Sequence, residues 1–125
     1  MELSDLRVNG RRLQETLETM ATIGATPGGG VHRLALSDED KAARDLFVRW
    51  LEELRLEVSI DEMGNIFGRR SGKNNALEPV MSGSHIDSQP KGGRFDGILG
   101  VMAPLEVLRT LEEQNIVTER PLVVV

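Results

Sequence analysis

The sequence predicts an α/β fold, and three features of its 125 residues carry that expectation. Two amphipathic helical stretches come first, an alternating hairpin follows, and the chain then closes with strand, helix and strand. That last trio is the order of a βαβ crossover, whose two strands run parallel.

The first helix is read from Leu13, Leu17, Met20 and Ile23, which recur at spacings of three and four, with Asn9 placed to cap it. The stretch Gly24 to Gly30, GATPGGG, ends the helix because Pro27 lacks an N–H donor and its glycines are costly to order. Ser37 followed by Asp40 is a capping-box signal, and Ala43, Leu46, Phe47, Trp50, Leu51 and Leu54 then line one face of a second helix. After Leu56 the period drops to two. Val58 and Ile60 alternate with Ser59 and Asp61, and Gly64-Asn65 separates them from Ile66-Phe67 and Arg69-Arg70, which predicts a hairpin. SGKNNALEP is a polar connection, and Val80-Met81 begin a short strand that runs into GSHID. From Ile98 to Leu111 the apolar positions again suit a helix, in which Pro104 should clash with the Gly100 carbonyl and cause a kink. PLVVV is a buried strand by composition. The sequence stops inside it, at Val125, which reads as truncation and predicts an unpaired or uncovered apolar surface there, with marginal stability or self-association.

Composition narrows the function. Fifteen Lys and Arg against 20 Asp and Glu leave a net charge of −5, which argues against a nucleic-acid binder, and aromatics for base stacking are scarce. No apolar run approaches the roughly 18 residues of a membrane span, and Met1-Glu2 does not open a signal segment, so the chain reads as cytoplasmic with no membrane partner. The absence of cysteine removes disulfides, thiolate ligands and thiol nucleophiles. Chemistry must come from oxygen and imidazole.

The densest set of such groups is GSHIDSQPKGGRFDG, from Gly83 to Gly97, at the carboxyl end of the Val80 strand, where sites lie in open α/β sheets. His85 and Asp87 are two apart in an extended segment, so both side chains point to one side, and the aspartate can bond one imidazole nitrogen while the other faces a metal. Pro90, Gly92 and Gly93 let the backbone turn and bring Asp96 back towards His85. A carboxylate there could bridge two cations about 3.5–4 Å apart. On residue chemistry alone, a metal site and ordinary loop polarity remain balanced alternatives.

The segment GSHIDSQPKGGRFDGILGV resembles the first metal motif of the dinuclear amidohydrolases that include N-carbamoyl-L-amino-acid hydrolase, β-ureidopropionase and allantoate amidohydrolase, relatives of the metallo-exopeptidases. VNGRRL, VHRLALSDEDKAARDLF, DEMGNIFGRR and GVMAPLEVL also stand in that family's order, so the resemblance spans essentially the whole chain. His32 stands where the family more often has Thr, and Pro104 where it has a small helix former. The resemblance implies that residues 1–125 are the amino-terminal part of a three-layer αβα di-metal hydrolase catalytic domain with a mixed sheet. It implies His85 as a terminal metal ligand, Asp96 as the bridging carboxylate and Asp87 as the catalytic partner that orients His85. The cofactors would be two divalent ions, Zn or alternatively Mn, Co or Ni. The rest of the catalytic domain, with the general base and further ligands, and an inserted dimerisation domain that makes the full-length protein a homodimer, would lie outside these residues. Two zinc ions sharing a carboxylate want about five protein ligands, so the chain alone is expected to be inactive.

Gly92 to Gly100, GGRFDGILG, and Ser88-Gln89-Pro90 resemble the carbamoylase and allantoate branch more than the peptidases, where the aspartate sits in a Gly-Arg-Gly-x-x-Asp-Met-Lys-Gly setting. The implied reaction is cleavage of the C–N bond of an N-carbamoyl-L-amino acid or related ureido acid by metal-activated water. A competing reading is a non-catalytic pseudoenzyme or interaction module that retains the fold's amino-terminal part. Sequence past Val125 would separate the two.

Other polar groups read as structural. His32, in a loop beside Arg33, is a solvated histidine; Asp61 and Asn65 make turn hydrogen bonds; Arg69, Arg70 and Lys73 form a solvated hairpin end. GRRSGKN is not a phosphate loop, since three residues instead of four precede Gly72-Lys73 and Asn74 follows. Arg94 and Gln89 either orient substrate or shape the turn.

Overall fold

The computed structural model describes residues 2–125. After a single 3₁₀ turn at Leu3–Asp5 come α1 (Gly10–Ala21), α2 (Asp38–Glu53), β1 (Glu57–Ile60), β2 (Ile66–Arg70), β3 (Val80–Ser82), α3 (Leu99–Glu113) and β4 (Leu122–Val124). The helix starts are those the capping residues predict. The Asn9 side chain accepts from Arg12 N at α1, and Ser37 Oγ accepts from Asp40 N at α2. At α2 the return bond of the box lies one residue further out, with Leu36 N donating to Asp40 Oδ2 at 3.0 Å. Helix α3 runs from Leu99 to Glu113 with Pro104 inside it.

The sheet order is β1-β2-β4-β3, with β1–β2 and β2–β4 antiparallel and β4–β3 parallel, so the sheet is mixed. Strand β4 therefore lies inside the sheet with both neighbours present, and Val123 and Val124 are buried. The expected uncovered strand at the end of the sequence is corrected: the exposed edge is β3, where Val80 and Met81 are about half exposed. The reason is the crossover, which inserts β4 between the hairpin and β3 rather than outside them.

Strand alternation puts Val58, Gly68, Val124 and Ser82 on one face. That face carries the helices: a Cβ at Gly68 would meet Leu51 of α2 at 2.6 Å, while Phe47, Leu51, Val101, Met102, Leu105 and Val124 share one buried cluster. These residues thus supply the sheet and the helical layer on one of its faces. The same alternation corrects the reading of Arg70 as solvated. It follows Ile66 and Gly68 on the helix side, is buried, and donates through Nε and Nη2 to Glu112 Oε2 at 3.2 and 3.0 Å.

One ion pair inside the helical layer was not foreseen. Glu106 of α3 is fully buried and receives a two-pronged bond from Arg12 of α1 (Nε–Oε2 2.8 Å, Nη2–Oε1 2.7 Å), with Asn9 N and Thr110 Oγ1 also donating to Oε1. Arg12 reaches Glu113 as well. Burial pushes the Glu106 carboxyl up, but the bonds from Arg12, Asn9 and Thr110 outweigh it and hold the group below its ordinary 4.5. Because the folded value is lowered, the pair contributes stability in full above the unfolded value, and that contribution is lost as pH falls through the folded one. Arg12→Met strands a buried carboxylate and is expected to cost about 3–5 kcal/mol in denaturant unfolding. Glu106→Gln should flatten the loss of stability below about pH 4.5.

Candidate metal and substrate site

The site begins where β3 ends. Val125 N donates to Ser82 O and Ser84 N to Val125 O, both at 3.1 Å, so parallel pairing continues past the named strands and delivers Ser84 to Asp87 to the carboxyl edge of the sheet. The segment from Gly83 to Gln89 has no regular structure. His85 Nδ1 lies 2.9 Å from the Asp87 carbonyl oxygen and 3.3 Å from Asp87 Oδ1. Both partners are oxygens that accept, so Nδ1 is the donor in these contacts, and in the neutral ring the lone pair falls on Nε2. Both side chains are about half exposed.

The glycine-rich turn does bring the next helix back to the histidine. Gly97 has φ +73°, and a Cβ on it would lie 2.3 Å from His85 Cε1 and 2.4 Å from Nε2. The backbone just after Asp96 thus lies against the imidazole, a contact only glycine permits in that left-handed conformation. Asp96 is exposed at the entrance of α3, with its own N–H on Gly93 O at 3.3 Å. Arg94 Cζ lies over the Phe95 ring, 5.4 Å from its centroid. Among the described residues, no group of three or more His, Cys, Asp or Glu gathers at metal-binding spacing.

A cavity of about 300 Å³ opens beside His85 and Asp87, walled by the start of α2, the β1–β2 turn and Val125. The turn is the Asx-type structure expected of Asp61 and Asn65: Asp61 Oδ1 accepts from Met63 N and Asn65 N, and Asn65 Nδ2 donates to Asp61 Oδ2. Asp96 is not among the cavity's lining residues.

Two supports escaped the sequence reading. The loop from Gly24 to Arg33 zips onto the motif: Val31 and Gly92 exchange both backbone bonds at 3.0 Å, and Ser88 N donates to Arg33 O at 2.7 Å. Arg33 itself is buried, its guanidinium donating to Ile86 O, Met20 O and Ile23 O. Burial lowers its pKa, opposed by the charges of Asp40 and Asp87. A lone arginine in a glycine-rich loop gives no periodic signal. His32, next to it, is exposed as expected.

No protein-family model matches the chain. It is 46% identical over 118 residues to an N-carbamoyl-L-amino-acid amidohydrolase of Rhizobium meliloti, a match covering 94% of this chain and 28% of the relative. It superposes with TM-score 0.94 and 56% identity on a hydantoinase/carbamoylase family amidase from Burkholderia multivorans, covering 95% of this chain and 29% of that one. The chain belongs to the N-carbamoyl-L-amino-acid amidohydrolase family and matches the amino-terminal part of its members. It spans under a third of the length of these relatives. An aminopeptidase, PepT of Bacillus cereus, shares the fold at TM-score 0.72 and 15% identity, covering 94% of this chain and 36% of that one. Among the described residues, no helix is long and apolar enough to cross a membrane.

Proposed function

We propose that residues 1–125 form the amino-terminal part of the catalytic domain of a dinuclear amidohydrolase that cleaves the C–N bond of N-carbamoyl-L-amino acids or a related ureido acid. The observation that carries this reading is the His85–Asp87 unit, whose Nδ1 is committed to Asp87 and whose Nε2 is free at the carboxyl edge of the sheet.

The donor set fits a divalent metal in part. His85 Nε2 and the Asp96 carboxylate would be ligands, a neutral imidazole and a hard oxygen of the kind zinc, manganese, cobalt and nickel accept. A pair of such ions held there would supply a water of lowered pKa and a polarised scissile carbonyl. Asp87 fixes the tautomer and the ring plane of His85. The Gly97 backbone lies against the ring, and Arg33 donates to the Ile86 carbonyl between the two motif residues. The remaining ligands, the general base and the dimerisation domain of a homodimer belong to the rest of a longer chain.

The substrate class rests on likeness to relatives that act, by their names, on N-carbamoyl-L-amino acids. The test is kcat/KM of the full-length, metal-loaded enzyme on N-carbamoyl-L-amino acids against dipeptides. Ammonia release from the first set should dominate. A clear preference for dipeptides would end the assignment and leave the two-metal chemistry intact.

A further inference from the structure

The acceptor nearest the His85 ring is the main-chain carbonyl of Asp87, 2.9 Å from Nδ1, ahead of the carboxylate oxygen at 3.3 Å. The direction of that carbonyl is set by a peptide plane. Across a trans peptide the Asp87 carbonyl and the Ser88 N–H point to opposite sides of one rigid unit. Arg33 O takes the Ser88 N–H at 2.7 Å, which leaves the carbonyl turned towards the imidazole. The preceding plane is held as well, since Arg33 Nε donates to Ile86 O at 2.9 Å. With both planes fixed, φ and ψ of Asp87 are fixed, and so is the direction in which its side chain leaves the backbone. A further bond, from Arg33 N to Ser88 Oγ at 2.9 Å, closes the pairing.

This grip is anchored outside the loop. Arg33 Nη1 donates to Met20 O at 3.1 Å and to Ile23 O at 2.8 Å, in the last turn of α1 and just beyond it, and Met20 is fully buried. All three acceptors of the guanidinium are carbonyls, so the charge is buried without a bonded carboxylate. An apolar side chain filling the same space would avoid that desolvation cost. What the guanidinium adds is a directed bond at Ile86 O.

We infer that Arg33 is a positioning residue for the metal ligand His85, setting the ring through the two peptide planes that flank Asp87. This rests on the functional reading above, in which His85 binds a divalent ion.

The experiment measures zinc affinity by chelator competition on the full-length apo-protein, in wild type, Arg33→Met, Arg33→Lys and Arg12→Met, at a temperature where each is folded by circular dichroism. Arg12→Met is the stability control: it breaks a buried ion pair whose partners, Glu106 and Glu113, lie outside the motif. Affinity should fall about 10–100-fold in Arg33→Met and by a smaller factor in Arg33→Lys, whose ammonium cannot hold three separated carbonyls. It should stay within about twofold of wild type in Arg12→Met. The visible bands of the cobalt-loaded protein should shift in Arg33→Met and not in Arg12→Met, a change that lost stability alone does not produce. Equal losses in Arg33→Met and Arg12→Met, or a cobalt spectrum unchanged in Arg33→Met, would overturn the positioning role. Should Arg33→Met fail to fold, wild-type affinity in Arg33→Lys would overturn it equally. A wild type that takes up no zinc would overturn the functional reading beneath it.

Discussion

Replacing Gly97 with alanine is expected to disable the His85 position while leaving most of the fold standing. The added methyl would sit 2.3 Å from Cε1, 2.4 Å from Nε2 and 2.6 Å from Nδ1 of His85, so the ring must leave its place beside Asp87. Alanine at φ +73° adds a backbone penalty of about 1–2 kcal/mol. Disturbing the orientation of a ligating histidine typically costs about 10–100-fold in metal affinity, and displacing the ring should reach at least that. Gly93→Ala is the control, since a Cβ there meets only Asp96 Cβ, at 3.8 Å. Competitive titration with a zinc chelator reads the result. Equal affinity in both variants would mean that the His85 ring is not where the metal binds.

Arg33→Met should cost about 3 kcal/mol or more in urea unfolding. The guanidinium donates to three carbonyls, Ile86 O at 2.9 Å, Met20 O at 3.1 Å and Ile23 O at 2.8 Å, from two parts of the chain. Each buried acceptor left without a donor costs about 1–3 kcal/mol, against a total stability of about 5–15 kcal/mol for a typical domain. Arg33→Lys should recover only part of the loss, because an ammonium cannot present a planar fork to three separated oxygens. Hydrogen exchange gives the second readout: the amide of Ser88, bonded to Arg33 O at 2.7 Å, should lose protection along with stability. A loss under about 1 kcal/mol would show that these bonds are replaced by solvent.

The elements were legible because their signals are local. The stripe from Leu13 to Ile23, the Ser37 cap and the alternation around Gly64-Asn65 each report on a few neighbouring residues, and all three elements are present where those signals place them. What escaped was set by contacts distant in sequence. Arg70 looked like part of a solvated cluster with Arg69, yet the pleat sends the two to opposite faces and gives Arg70 a partner in α3. Glu106, written into an otherwise apolar helix, finds its counter-charge 94 residues away at Arg12. The strand at Val80 reads as apolar and is found at the open edge, since nothing in three residues says which side of the sheet the crossover will fill. In the site, spacing alone foretold that Asp87 would face His85, whereas the role of the Gly24 to Arg33 loop as the motif's pairing partner required the fold.

The central claim is that His85 and Asp96 are metal ligands, and the most direct measurement is metal content by mass spectrometry of the full-length protein and its His85→Ala and Asp96→Asn variants. The account predicts two divalent ions per wild-type chain, loss of one in His85→Ala and depletion of both in Asp96→Asn, whose side chain cannot bridge. A wild type that holds no metal after saturation and dialysis, or variants that keep the full complement, would contradict it.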